Sequence, residues 1–165
     1  MILFEDERLL AVSKTPGVSM ATSSREGRSA VSVIARLLSA AAEPSPSLSK
    51  SLFLVHRLDV GTSGVVLLAK TEAAHRALSS AFQERRVTKT YRALAWGHPV
   101  PAKGLFDDPL GRDPKDGRKM RVQRDGKPAV TEYVTLRRYP SVADLRLSPK
   151  TGRTHQIRVH LAAKG

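Results

Sequence analysis

One carboxylate stands out by its surroundings. Asp59 lies in His56-Arg57-Leu58-Asp59-Val60-Gly61-Thr62-Ser63-Gly64, between the apolar runs Leu52-Phe53-Leu54-Val55 and Val65-Val66-Leu67-Leu68-Ala69. Both runs have the length and composition of short buried strands, which puts the aspartate on the turn that joins them. Gly61 and Gly64 permit positive φ and close approach of a ligand, and Thr62 and Ser63 can satisfy turn amides. A carboxylate so placed can serve as a nucleophile or an electrostatic stabiliser. It can also be an ordinary hairpin Asp that bonds its own backbone. Arg57, two residues before it, and the basic chain around it favour the chemical reading.

Other chemistries are poorly supplied. The chain has no cysteine, which excludes thiol nucleophiles, disulfides and thiolate metal sites. His56, His75, His98, His155 and His160 show no metal-ligand spacing, so a dedicated metal site is not expected. Lys and Arg number 28 against 15 Asp and Glu, a formal net charge of +13, spread along the chain. That sign favours a polyanionic partner, with RNA ahead of DNA because no helix carries a recognition-helix or zinc-finger pattern. No segment reaches the roughly 18 consecutive apolar residues of a spanning helix, and the acidic start Met1-Ile2-Leu3-Phe4-Glu5-Asp6-Glu7 is unlike a signal peptide. A cytoplasmic protein with no membrane partner is expected.

At 165 residues and 41% hydrophobic content, one domain spanning 1–165 with a real core is the expectation. Ile2–Phe4 and Leu9–Ser13 read as strands joined by a charged turn, and Lys14-Thr15-Pro16-Gly17 ends the second. Ser29 can cap a helix with Val31, Ile34, Leu37 and Leu38 on one face, and the Pro- and Ser-rich stretch 43–51 ends it. Thr71 can cap a second helix running to about Arg86, with Ala74, Ala77, Leu78, Ala81 and Phe82 inward. Lys89–Trp96 alternates as a strand, Tyr91, Ala93 and Ala95 on one side. His98–Gly126 reads as a solvated basic loop, and its Arg112, Lys119 and Arg121 are candidates for phosphate contact. Ala129–Tyr139 and Val142–Leu147 form a strand pair about Pro140-Ser141. Thr154 is a candidate cap for a short helix His155–Ala163 with Ile157, Leu161 and Ala162 inward. The sum is an α+β fold: a mixed, mostly antiparallel sheet with two or three packed helices.

Four stretches then line up in order: His56-Arg57-Leu58-Asp59 with Thr62-Ser63-Gly64; Lys89-Thr90-Tyr91-Arg92-Ala93-Leu94; Pro109-Leu110-Gly111-Arg112-Asp113-Pro114; and Thr151-Gly152-Arg153-Thr154-His155-Gln156-Ile157-Arg158-Val159-His160-Leu161. Together they resemble the RluA-type RNA pseudouridine synthases over essentially the whole chain. The resemblance implies a synthase-like catalytic domain that converts uridine in structured RNA, ribosomal or transfer, to pseudouridine without metal or cofactor. It implies Asp59 as the catalytic aspartate, Tyr91 as the active-site tyrosine and Arg158 as the cation that pairs with the aspartate. Arg57 would help hold the target nucleotide out of its stack; Arg153 is a secondary candidate for RNA phosphate contact. Taken alone, Tyr91 reads as a half-buried strand aromatic and Arg158 as a helix-surface cation, while His155 and His160 read as structural. The pattern departs from the family at Lys14-Thr15-Pro16-Gly17, where Lys-Pro-x-Gly is usual, and at Lys164-Gly165, where relatives continue into further strand. A separate N-terminal RNA-binding domain is not expected, and a monomer is. The alternative reading is a non-catalytic RNA-binding protein that keeps the synthase fold.

Overall fold

Leu9-Leu10-Ala11-Val12 and Val65-Val66-Leu67-Leu68-Ala69 are short apolar runs whose burial is most economical in a ladder, and each becomes a strand. The structure is a computed structural model and describes residues 1–20 and 52–164. The helix expected from Ser29 and the Pro- and Ser-rich stretch after it lie outside the described residues. Backbone contacts gather the chain into two units, Met1–Arg86 and Val87–Gly165.

In the first unit, β1 (Ile2–Glu5), β2 (Leu9–Lys14), β3 (Phe53–Leu54) and β4 (Gly64–Ala69) form an antiparallel sheet in the order β1-β2-β4-β3. The β1–β2 turn is tied by Asp6, whose Oδ1 accepts from the backbone N–H of Arg8 and Leu9 at 2.7 Å each. Strand β3 is shorter than the apolar run suggests because a side chain replaces its ladder. The register Leu54↔Leu68 would next pair Val55 with Leu67, but the Leu67 N–H donates to His56 Nε2 at 3.0 Å instead. Leu10, Val12, Met20, Leu52, Val66 and Leu68 form the core, with Ile2, Val18, Leu54 and Leu58 packed on it.

Helix α1 (Glu72–Gln83) is capped as expected by Thr71, whose side chain accepts from Ala74 N at 3.1 Å. It stops short of Arg86 because Arg85 turns left-handed at φ +60°. Ala74, Leu78, Ala81 and Phe82 are half-buried, whereas Ala77, expected inward, is exposed.

The second unit holds β5 (Tyr91–Trp96), β6 (Lys103–Phe106), β7 (Leu110–Arg112), β8 (Met120–Val122), β9 (Thr131–Arg138), β10 (Val142–Pro149) and α2 (Gln156–Ala163). A four-stranded sheet runs β5-β10-β9-β6, and β7 pairs with β8; these pairings are antiparallel. Tyr91, Ala93, Ala95, Ile157 and Leu161 pack on the buried Phe106, Tyr133, Ala143, Leu145 and Leu147. Two expectations fail here. Residues 98–126 are not one loop: β6, β7 and β8 lie within them, each only three or four residues long and too short to show a period in sequence. Nor does Thr154 cap α2. His155 precedes the helix at φ +54°, Ala162 is exposed, and Gln156 and His160 take inward positions.

Candidate active site

The aspartate sits where the sequence puts it, on the loop between β3 and β4, and the loop is braced from below. Asp59 O accepts from Thr62 N at 3.0 Å, closing a turn. Lys14, at the end of β2 and only 1% exposed, sends its ammonium beneath that turn. Its Nζ donates to Thr62 O at 2.7 Å and to Val60 O and Thr15 O at 3.1 Å each. Gly17 N adds a bond to Val60 O at 2.8 Å. Burial pushes the Lys14 ammonium below the usual lysine range, and the negative charge of Asp59 pushes the other way. Val60 and Thr62, which flank Gly61, are thus held by their carbonyls, leaving the Asp59 side chain half-buried and Arg57 exposed.

The upstream end of the loop is fixed as well. His56 stacks on Phe82 with ring centroids 4.8 Å apart while accepting from Leu67, and Leu58 N donates to Met20 Sδ at 3.3 Å. Gly64 uses the glycine freedom expected of it, at φ +139°, with Leu58 Cδ1 3.7 Å from where a Cβ would stand. Gly61 does not: its φ is not positive and the space about it is open.

The other two residues expected in catalysis belong to the second unit. Tyr91 opens β5 opposite Leu147, half-buried on the cluster that also receives Ile157 and Leu161 of α2. Arg158 lies on the exposed side of that helix. One apolar cluster therefore carries both the tyrosine's strand and the arginine's helix. The left-handed entry at His155 sets the helix direction, and Arg153 Nε, donating to Pro128 O at 3.0 Å, ties the preceding turn to the segment before β9.

The basic residues include some bonded to backbone carbonyls and some exposed at the surface. The Arg112 guanidinium donates to the Gly117 carbonyl, inside the β7–β8 connection, and Arg153 is half-buried in the bond just described. Lys119 and Arg121 are exposed, with Lys119 Nζ 3.6 Å from Asp116. Arg118 Nε is 3.1 Å from the same carboxylate, and these bonds hold Asp116 below the usual carboxylate range. Among the described residues no cluster of three or more His, Asp or Glu is placed to hold a metal ion. Lys14 is the residue that sequence reasoning missed. Its signal was a lysine closing an otherwise apolar strand, read there as part of a turn and of the family's Lys-Pro-x-Gly pattern, with no role given to it.

Fold and loop together define an α+β protein that presents a braced carboxylate, with a tyrosine on a second antiparallel sheet and an arginine on the helix packed against it. Residues 8–163 match the family described as RNA pseudouridylate synthase, and the chain belongs to that family. An uncharacterized RNA pseudouridine synthase of Mycobacterium bovis is 39% identical over 163 residues, 98% of this chain and 52% of the relative. The dual-specificity RNA pseudouridine synthase RluA of Escherichia coli K12 is 40% identical over 167 residues, covering 100% of this chain and 72% of that protein. The chain thus spans about half the length of the mycobacterial relative. Among solved structures, human RNA pseudouridylate synthase domain containing 1 superposes with a TM-score of 0.78 at 29% identity, over 98% of this chain and 64% of the human one. Human domain containing 4 gives 0.73 at 32%, over 98% and 63%.

Proposed function

We propose that this chain isomerises uridine in structured RNA, ribosomal or transfer, to pseudouridine, with Asp59 as the catalytic carboxylate. The observation that supports it most is the Asp59 loop, braced by Lys14 at the Val60 and Thr62 carbonyls in a chain that belongs to the synthase family. The reaction breaks the N1–C1′ bond, turns the uracil, joins C1′ to C5, removes the C5 proton and leaves a proton on N1. A sugar that loses its base takes on oxocarbenium or glycal character, which one ionised carboxylate can stabilise or trap covalently. Hydrolytic glycosidases need a second carboxyl to protonate a departing group. Here the base is kept and reused, so a single carboxylate suffices.

Tyr91 is assigned to stack on the uracil or to assist loss of the C5 proton, and Arg158 to pair with the catalytic carboxylate. Arg57 would fill the space left by a flipped nucleotide. Lys119 and Arg121 would meet phosphates, with Arg112 and Arg153 contributing from positions already bonded to the backbone. The reading carries with it a monomer acting on RNA in the cytoplasm, with no DNA, membrane or cofactor involved. Among the described residues no helix is long and apolar enough to cross a membrane. The test is incubation with ribosomal and transfer RNA carrying tritium at C5 of uridine. Tritium release with pseudouridine in the digest is expected; no release from either RNA would sink the proposal.

A further inference from the structure

Helix α2 is eight residues long, too short to hold its shape on propensity, and no side chain caps its first turn. Besides Ile157 and Leu161, two polar side chains one turn apart seat it: Gln156 and His160 are 5% and 0% exposed. Polar groups so buried are tolerated only when bonded, and here the bonds have one consistent direction. The Asp108 carbonyl can only accept, so His160 Nε2 carries the hydrogen and donates to it at 3.1 Å. In the neutral ring Nδ1 is then an acceptor, and the Thr131 hydroxyl, 3.0 Å away, is the donor to it. Thr131 Oγ1 accepts in turn from Gln156 Nε2 at 2.9 Å. Gln156 Oε1 receives the Thr151 hydroxyl at 2.7 Å and Arg153 N at 3.0 Å.

The far end of this chain is informative. Asp108 lies two residues before β7, at the root of the basic hairpin, and is tied to α2 a second time by Lys164, which donates to its Oδ1 at 3.1 Å. An apolar side chain would fill the space between Phe106 and Thr131 but would not fix the Asp108 carbonyl. Arg158 rides on the same helix, half a turn from His160 and on the exposed side.

We propose that His160 is a positioning residue: it clamps the root of the β7–β8 hairpin to the helix that carries Arg158. RNA gripped by the hairpin is thereby delivered in fixed register to that arginine. The proposal rests on the isomerisation reading above for what Arg158 does. Breaking the clamp should leave phosphate contacts intact and misplace the target, which lowers kcat and spares KM.

Three variants separate the two bonds of the ring. His160→Gln brings an amide N–H near the Nε2 position and keeps the bond to Asp108. His160→Asn keeps an acceptor near Nδ1 for Thr131 and loses Asp108, and His160→Leu loses both. With a transcript tritiated at C5 of uridine, kcat per folded molecule is expected to fall about tenfold in the Asn and Leu variants and to stay near parental in Gln, KM being unchanged in all. Losses that follow the melting temperature whichever bond survives, or no loss, would overturn the clamp. Hydrogen exchange with the same transcript bound reads it without turnover. Protection of α2 amides should rise in the parent and the Gln variant only, and equal behaviour in all four proteins, or no rise in the parent, counts against it. A parent that shows the exchange pattern but releases no tritium would defeat the isomerisation reading and leave the clamp standing.

Discussion

Burying Lys14 strips water from an ammonium, and the fold compensates with three carbonyl oxygens, two of which, Val60 and Thr62, belong to the turn closed on Asp59. The brace makes the position of the catalytic candidate depend on a residue more than 40 positions away. Lys14→Met should strip the lysine's bonds from all three carbonyls, leaving Val60 O only its bond from Gly17 N, and destabilise the protein by about 1–3 kcal/mol in urea unfolding, with a loss of tritium release larger than the unfolded fraction explains. Parental turnover in a folded Lys14→Met protein would show the brace to be irrelevant. Asp144 makes a second residue-scale test. It is 3% exposed on the sheet, and Arg92 Nε donates to its Oδ1 at 2.9 Å and its Oδ2 at 3.1 Å. Those bonds hold its carboxyl below the usual range, burial opposes them, and the charges of Arg92 and Arg137 add to the lowering. With the folded value depressed, the stability from this pair is complete above the unfolded carboxylate value of about 3.9 and is lost as pH falls through the folded one. The stability gap between the parent and Asp144→Asn should therefore narrow below about pH 4 in urea titrations; a gap constant with pH would contradict the pairing.

At the scale of elements, the basic hairpin hangs on a close backbone approach. A Cβ on Gly126 would stand 2.6 Å from Leu110 C and 2.7 Å from its O, where Leu110 and Lys127 exchange bonds of 3.0 and 2.8 Å. A Cβ on Gly111 would meet the Gln123 side chain at 2.6 Å, and a side chain can swing away. Gly126→Ala should thus lower the melting temperature and weaken RNA binding, while Gly111→Ala changes both far less; the reverse order would refute the root geometry. This hairpin was hidden in the sequence because three-residue strands show no period and their ladder forms between residues eight to twelve apart. Strands β1, β2, β4, β5, β9 and β10 were legible because apolar runs or two-residue alternation mark them. The truncation of β3 was not, since it depends on His56 taking the Leu67 N–H. Helix α2 defeated the pattern rule at its buried positions: Gln156 and His160 are polar residues facing inward, which periodicity assigns to the surface, and Ala162 was read inward in their place.

For the whole molecule, the candidate residues divide between two units, Arg57 and Asp59 in the first, Tyr91 and Arg158 in the second. Of the +13 charge the first unit carries +3 and the second +10. The division into units was not legible, one domain over 1–165 being the expectation; the order of motifs along the chain made the family legible as a resemblance, and the match of residues 8–163 bears it out. The sequence had no means of showing that a buried lysine underpins the aspartate. Charge and chemistry make separable demands: RNA affinity should follow the net positive field and fall steeply with salt, whereas isomerisation should follow one carboxylate. Asp59→Asn is nearly isosteric and removes that carboxylate alone. The most direct measurement is single-turnover release of tritium from C5-labelled RNA by the parent and Asp59→Asn, with RNA affinity recorded across salt for both. The account predicts release at background for Asp59→Asn, with affinity and salt slope unchanged; release at the parental rate would contradict it.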